Sequence, residues 1–574
     1  MIFNKLNNMI IIPRSFGILP YPFIFNHKAL FNYFILLVIS YKGYGFVDEY
    51  VKFILRYTFY HNKISDISSI IFKSLIKIPY FKNKLITKLS QIENKIIDDS
   101  LELQSLVKHR TITLPVISVS SDLILNKMSE NINADLSCQN PLKLSGAKYN
   151  TPGDEEKEMM KSVFDLYYKT NPLHSDIYPS LITMEKDIIF MVKNMLNCSI
   201  SEGFGSLTTG GTESIILALF SYREYAKKYK GITSPEVVAL STVHPAFDKG
   251  CYYLGIKLRK VNVDESNFID TIHLNLSINH NTILLVGSVP SFPHGLIDDI
   301  EILNHLACLY SIPIHIDACL GGFMYPFIAE SPPFDFRVPC VQSISIDTHK
   351  YGCCPKGSSV LLFRKKEYME TCYFIQSEWS GGIYATTNIT GSRSGLNVAW
   401  TWDMLNYQGI SKLQDQANNI FKKLNRIKKA FSDSKDIFIY GDPIVCVVGF
   451  GSKNLNIYTI SQKMKMLGWN LNELQNPSSF HFCITNCHTD DIITEFIENL
   501  KECINETYDE TYNFDCIFNE LISDEENNTA NPNSNNANRN TNTNYSASIY
   551  GTTQKVPDKS IIDRVVTFYL NTLH

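Results

Sequence analysis

Six short apolar runs between residues 236 and 364 limit the folds open to this chain more than any other feature. In order they are EVVALS, KLRKVNV, NTILLVGSV, IPIHID, SISID and SSVLLFR, separated by helix-period sequence and Gly or Pro turns. Runs this short and this apolar fit strands buried on both faces, in a mostly parallel sheet with helices on either side. The pattern predicts an α/β domain over residues 141–400. Beyond it, the amphipathic GISKLQDQANNIFKKLNRIKKAF precedes IFIYG, IVCVVGF and FHFCIT, which predicts a smaller α+β domain over 401–522 with an antiparallel sheet.

The flanks read differently. Residues 523–548 are Asn-rich and nearly free of large apolar side chains, so they cannot bury enough surface to order themselves. DKSIIDRVVTFYLNTLH then regains helical periodicity, and residues 549–574 are expected to pack back on the small domain. Near the amino terminus, ALFNYFILLVISY (29–41) is strongly apolar but shorter than the roughly 20 residues a spanning helix needs. Hydropathy alone fits two outcomes equally: a span with Lys28 and Lys42 snorkelling outward, or a buried helix of a soluble domain. For a span, Lys42, Lys52, Arg56, Lys63, Lys73 and Lys77 would put the downstream side in the cytosol. No small-residue cleavage site follows, which disfavours a signal peptide. Residues 61–140 carry no chemical motif and read as a helical linker.

Composition excludes some functions. A net charge of −4 implies neither nucleic acid nor a strongly charged partner. Fourteen cysteines lack paired Cys-x-x-Cys spacing, which argues against a zinc site, so no metal is expected. Free thiols in a reducing compartment are the plain reading.

The chemistry gathers at the strand ends. GFGSLTTGGTESI joins a Gly- and Thr-rich turn to a helix starting near Gly210, Gly211 and Thr212. Free N–H groups there, with the helix dipole, make an anion cradle, although such a turn is usually only a cap. The Gly-Lys-Ser/Thr of a nucleotide loop is missing. His244 follows the first apolar run, and by itself would read as an ordinary loop residue. Asp317 ends IPIHID before Ala318, and a carboxylate at a buried strand end is costly unless it faces a cation. Lys350 ends SISIDTHK at the carboxyl edge of the sheet, where open α/β sheets bind ligands. A desolvated amine there could attack a carbonyl. Cradle, imidazole, acid and amine together are what pyridoxal 5'-phosphate requires: a phosphate site, a stacking partner, a partner for the ring nitrogen and a lysine for the aldehyde.

These segments resemble the sphingosine-1-phosphate lyase family, within the group II decarboxylase branch of fold type I pyridoxal enzymes. The matching stretches are SGAKY, NPLHSDIYPSL, TTGGTESI, PSFPHGLIDDI, HIDACLGGF, FDFRV, SISIDTHKYG, PKGSS, GGIYATTNITGSR and GWNLNELQNPSSFHFCIT. They run in family order from Ser145 to Thr485, and IYG at Ile549 resumes the match. The resemblance implies a fold type I transferase-like large domain and a covalent bond from Lys350 to the cofactor. It implies that Asp317 pairs with the ring nitrogen, and that His244 and Ala318 cover the two ring faces. Gly210, Gly211, Thr212 and His349 would hold the cofactor phosphate. Gly391, Ser392 and Arg393 would complete that site from a neighbouring subunit, so a homodimer with shared active sites is implied. Tyr149, His174 and Lys356 would hold a phosphate on the substrate, which explains two lysines in one strand-end turn.

The implied reaction is retro-aldol cleavage of the C2–C3 bond of a phosphorylated sphingoid base, giving a long-chain aldehyde and phosphoethanolamine. The base is left open among the cofactor phosphate, Lys350, His174 and Tyr384. A lipid substrate suits the apolar amino terminus, and the family's membrane helix near this position favours a span over 29–47. The endoplasmic reticulum membrane, with the catalytic domain facing the cytosol, is the expected location. Departures from the family pattern are small: Thr209 stands in place of a usual Ser, Pro245 follows His244, and Cys353-Cys354 precede Pro355. Two rival readings share much of the set: a group II amino-acid decarboxylase, and a catalytically silent membrane-bound scaffold. The substrate-phosphate residues speak against the first and the complete cofactor set against the second.

Overall fold

The structure, a computed structural model, describes residues 79–135, 141–199, 201–263, 270–329, 331–509 and 559–573. The expected span at 29–47 and the Asn-rich segment 523–548 lie outside the described residues. No described helix is long and apolar enough to cross a membrane.

The described residues divide into two compact units. In the first, Arg564 of the helix Lys559–Leu573 donates to Glu93 at 3.1 and 2.9 Å. Such an exposed pair adds little stability.

The second unit is built on the six apolar runs and one strand before them. They form β1 (Phe204–Thr208), β2 (Glu236–Leu240), β3 (Lys257–Val261), β4 (Thr282–Ser288), β5 (Ile314–Asp317), β6 (Val341–Ile346) and β7 (Ser359–Phe363). Their order is β1-β7-β6-β5-β4-β2-β3. β7 runs antiparallel to both neighbours, and every other pair is parallel.

Period-two alternation divides the buried side chains between two cores. Val238, Leu240, Leu285, Val360 and Leu362 belong to one, while Val237, Ala239, Leu284, Leu361 and Phe363 belong to the other. That two-sided burial is why the runs look continuously apolar, at roughly 1.5–3 kcal/mol for each large side chain removed from water. The fold is the expected α/β arrangement with a mostly parallel sheet and helices on both faces.

Two strands, β8 (Phe374–Trp379) and β9 (Gly382–Thr386), make a separate hairpin whose apolar side chains Phe374, Ile375, Trp379 and Ile383 are exposed. The long helix Gly395–Phe431 breaks at Gly409, where φ is 55°. It leads to a four-stranded antiparallel sheet of β10 (Phe438–Ile439), β11 (Val447–Gly451), β12 (Asn472–Leu474) and β13 (Ser479–Cys483), in the order β10-β11-β13-β12. Phe482 of β13 stacks on Phe496 of the helix Asp490–Asp509 at 4.4 Å, anchoring that sheet.

Candidate active site

Three strands of the large sheet deliver chain ends to one place. β1 ends at Thr208, and the helix Gly211–Lys230 begins after only two residues. Thr209 donates its N–H and its hydroxyl to the Glu213 carboxylate at 2.7 and 2.6 Å, which fixes the turn. Gly211 then approaches its neighbours closely. A Cβ there would stand 2.8 Å from Cys319 Sγ and 2.9 Å from Asp347 Oδ1, so only glycine fits. The cradle at Gly210 and Gly211 therefore lies beside the ends of β5 and β6.

At the end of β5, Asp317 is buried. One of its oxygens accepts from the Cys319 N–H at 3.1 Å and from the Ser345 hydroxyl at 3.5 Å. Among the described residues no basic side chain lies within salt-bridge distance of it. Ala318 is fully buried next to it.

At the end of β6 the chain passes through Asp347, Thr348, His349 and Lys350. The Lys350 ammonium lies 3.0 Å from Asp347 Oδ2, and His349 Nε2 lies 3.5 Å from the same oxygen. Burial works against the Lys350 charge, but the Asp347 carboxylate, foremost of the groups opposing it, raises the amine above its ordinary value. Burial lowers His349 to about 4, leaving it neutral, and its Nδ1 accepts from the Ser358 N–H at 3.4 Å, so Nε2 carries the proton.

Lys356, on the same turn, donates to the His349 carbonyl at 3.4 Å and lies over the Tyr149 ring at 4.6 Å from its centroid. Burial, then the Lys350 charge, lower its amine. Tyr149 in turn meets Tyr351 edge-on at 5.1 Å. His244 accepts the Ala246 N–H on Nδ1 at 3.1 Å. Burial lowers its pKa, opposed by Asp317 and Asp347 and assisted by Lys350, which places all four groups within electrostatic reach of one another.

Most residues singled out in the sequence thus meet: Tyr149, His244, Asp317, His349, Lys350 and Lys356 form one electrostatic cluster beside the Gly210–Gly211 turn. Thr212 is exposed at the helix start. His174 is also exposed, in the turn before the helix Pro179–Met195, and its imidazole forms no hydrogen bond with Tyr149 or Lys356. Ser392 accepts from the Asn171 amide at 3.1 Å, and an added Cβ at Gly391 would meet the Tyr384 hydroxyl. Arg393 pairs with Glu185 and donates to the Leu207 carbonyl at 3.4 Å.

The sequence reading missed Asp347. Its signal was available: it is a carboxylate at a buried strand end, the same reasoning that picked out Asp317.

The residues fit pyridoxal phosphate. A buried carboxylate without a cation, Asp317, awaits a protonated ring nitrogen. A helix start stripped of Cβ atoms can admit a phosphate, and a strand-end lysine stands next to it. The fold and this set define a pyridoxal phosphate-dependent enzyme. A family model for the pyridoxal-dependent decarboxylase conserved domain matches residues 157–453. The sphingosine-1-phosphate lyase of Drosophila melanogaster is 35% identical over 88% of this chain and 88% of its own length. The chain belongs to the sphingosine-1-phosphate lyase family. Among solved structures, the Burkholderia pseudomallei sphingosine-1-phosphate lyase aligns with a TM-score of 0.67 at 29% identity, covering 73% of this chain and 98% of that one. Lactobacillus brevis glutamate decarboxylase, at 19% identity and a TM-score of 0.62 over 71% of this chain and 97% of its own, shares the fold.

Proposed function

We propose that this protein is a pyridoxal phosphate-dependent aldehyde-lyase. It cleaves phosphorylated sphingoid bases between C2 and C3, releasing a long-chain aldehyde and phosphoethanolamine. When bound, the cofactor supplies an electron sink for the pair released at the amine-bearing carbon. Lys350 binds the cofactor aldehyde, and Asp317 keeps the ring nitrogen protonated by facing it with a buried negative charge. His244, held neutral by burial, covers one ring face and Ala318 the other. Gly210, Gly211 and Thr212 offer N–H groups and a hydroxyl to the cofactor phosphate, and His349 offers its Nε2 proton.

The observation that carries the substrate class is the Lys356 ammonium over the Tyr149 ring, 4.6 Å from its centroid, as a second cation apart from Lys350. A substrate phosphate dianion there would restore the charge that burial opposes. Tyr149 and His174 complete this second anion site in the reading.

The proposal extends to assembly and location. A homodimer would cover the exposed apolar side chains of the β8–β9 hairpin and bring Gly391, Ser392 and Arg393 toward the partner's cofactor phosphate. A span over 29–47, followed by basic residues, would hold the enzyme at the endoplasmic reticulum membrane with its catalytic domain in the cytosol and its lipid substrate close by.

The test is a spectrum and a product assay. Purified protein should show the visible band of a lysine-bound cofactor, absent from Lys350→Ala, and should release aldehyde from sphinganine 1-phosphate. A colourless wild type would sink the enzyme reading in favour of a scaffold. Carbon dioxide from an amino acid, without aldehyde from the lipid, would support a decarboxylase instead.

A further inference from the structure

Lys350 has a close anionic partner, and it is not the acid that the sequence singles out. Its ammonium meets Asp347 Oδ2 at 3.0 Å, where the Asp347 side chain is only 3% exposed. Among the described residues, the other carboxylate oxygen, Oδ1, is buried and has no hydrogen-bond partner. No other described cation pairs with this carboxylate. His349, 3.5 Å away, is neutral because burial lowers it to about 4. Lys356 turns to the His349 carbonyl, and Arg393 is tied to Glu185.

Of the remaining titratable groups near the pair, Asp317 is a second carboxylate and brings no cation, and the others are neutral. Burial raises the Cys319 thiol and the Tyr149 hydroxyl, and it lowers the His244 imidazole. At the helix start, Gly211 adds no side chain against Asp347. A buried carboxylate with a single cation loses heavily if that cation gives up its charge, because the negative charge is then left uncompensated.

We propose that Asp347 is a positioning residue that holds the Lys350 amine as an ammonium whenever the lysine is not joined to the cofactor, so that Lys350 gives a proton in the reaction and is not its base. This rests on the reading of Lys350 as the cofactor-binding lysine. The exchange of amines then balances on the two groups involved: the substrate ammonium gives up one proton and Lys350 leaves carrying one. An ammonium has no lone pair with which to take the C3 hydroxyl proton. It has a proton to deliver to C2 once the C2–C3 bond has broken, and delivery returns the neutral amine that rejoins the cofactor. Lys350 is thereby removed from the candidates for the base, leaving the cofactor phosphate, His174 and Tyr384.

The test reads the amine itself. Full-length protein freed of cofactor is labelled with trinitrobenzenesulfonate across a pH series, and the labelling of Lys350 and Lys356 is followed by peptide mass spectrometry. Steric shielding changes the height of each profile, so its midpoint is what is read. In the wild type the Lys350 midpoint should lie above that of ordinary lysines, and the Lys356 midpoint below it. Asp347→Asn should bring the Lys350 midpoint down by at least one pH unit, about tenfold more labelling at a fixed pH near 9, while Lys356 moves far less. A wild-type Lys350 profile at or below that of ordinary lysine overturns the proposal, and this measurement requires no variant to fold. Superimposable Lys350 profiles in wild type and Asp347→Asn overturn it too. Neither lipid nor cofactor enters the readout. Failure here leaves the visible band and the aldehyde product in place, whereas failure of the functional reading abolishes them.

Discussion

Gly210 and Gly211 are adjacent, yet alanine should be accepted at the first and rejected at the second. At 211 the new Cβ would stand 2.8 Å from Cys319 Sγ and 2.9 and 3.0 Å from the two Asp347 carboxylate oxygens. Comfortable non-bonded contact needs about 3.5 Å or more. Neither neighbour can step back freely. The Cys319 thiol is hydrogen-bonded to Ser345 at 3.4 Å, and Asp347 is buried against Lys350 at 3.0 Å. Overpacking of this kind costs about 1–3 kcal/mol. These are protein atoms, so the cost falls on the folded chain whether or not cofactor is bound, and Gly211→Ala should lose that much stability.

At 210 the only atom of the described residues near a new Cβ is His349 Cε1, at 3.4 Å, and the φ of 162° is extended backbone open to any residue. Gly210→Ala should therefore fold within about 0.5 kcal/mol of wild type, even though its Cβ would border the phosphate site. Both stabilities come from denaturant melts of the cofactor-free proteins. Circular dichroism of the same samples shows whether either variant has lost its fold. The steric reasoning fails if Gly210→Ala loses as much stability as Gly211→Ala, or if Gly211→Ala melts like wild type.

Lys356→Met keeps the apolar stem against Tyr149 and removes the charge. At about 1.5–3 kcal/mol for a charge-assisted hydrogen bond, the KM for the lipid phosphate should rise roughly ten- to a hundredfold with the visible band unaltered. An unchanged KM would separate Lys356 from the substrate phosphate. Asp298 is a different case, since burial pushes its carboxyl up to about 7. A carboxyl raised on folding contributes stability that is complete below its unfolded value near 4 and is lost as pH rises through about 7. Asp298→Asn keeps an acceptor for the Ser288 N–H, bonded at 2.7 Å, and removes the titration. In denaturant melts the variant should gain on the wild type between pH 5 and pH 8, by up to about 3 kcal/mol. An equal difference at both pH values would refute this.

Much of this protein was determined along the chain itself. Short apolar runs broken by turns specify a sheet covered on both sides, because a strand buried on two faces cannot show polar alternation. Asp317, His244 and Lys350 were legible for a related reason: polar side chains placed where such runs stop are at the edge at which α/β sheets bind ligands. What only the tertiary structure decided are the pairings across strands. Asp347 is three residues from Lys350 in the chain, but its importance lies in being buried, with one oxygen on that amine and the other close against Gly211. Likewise, the ring beneath Lys356 belongs to Tyr149, far away in sequence. Local pattern records which residues end a strand. Which charge faces which is set by distance and by the exclusion of water, and those exist only once the sheet has closed.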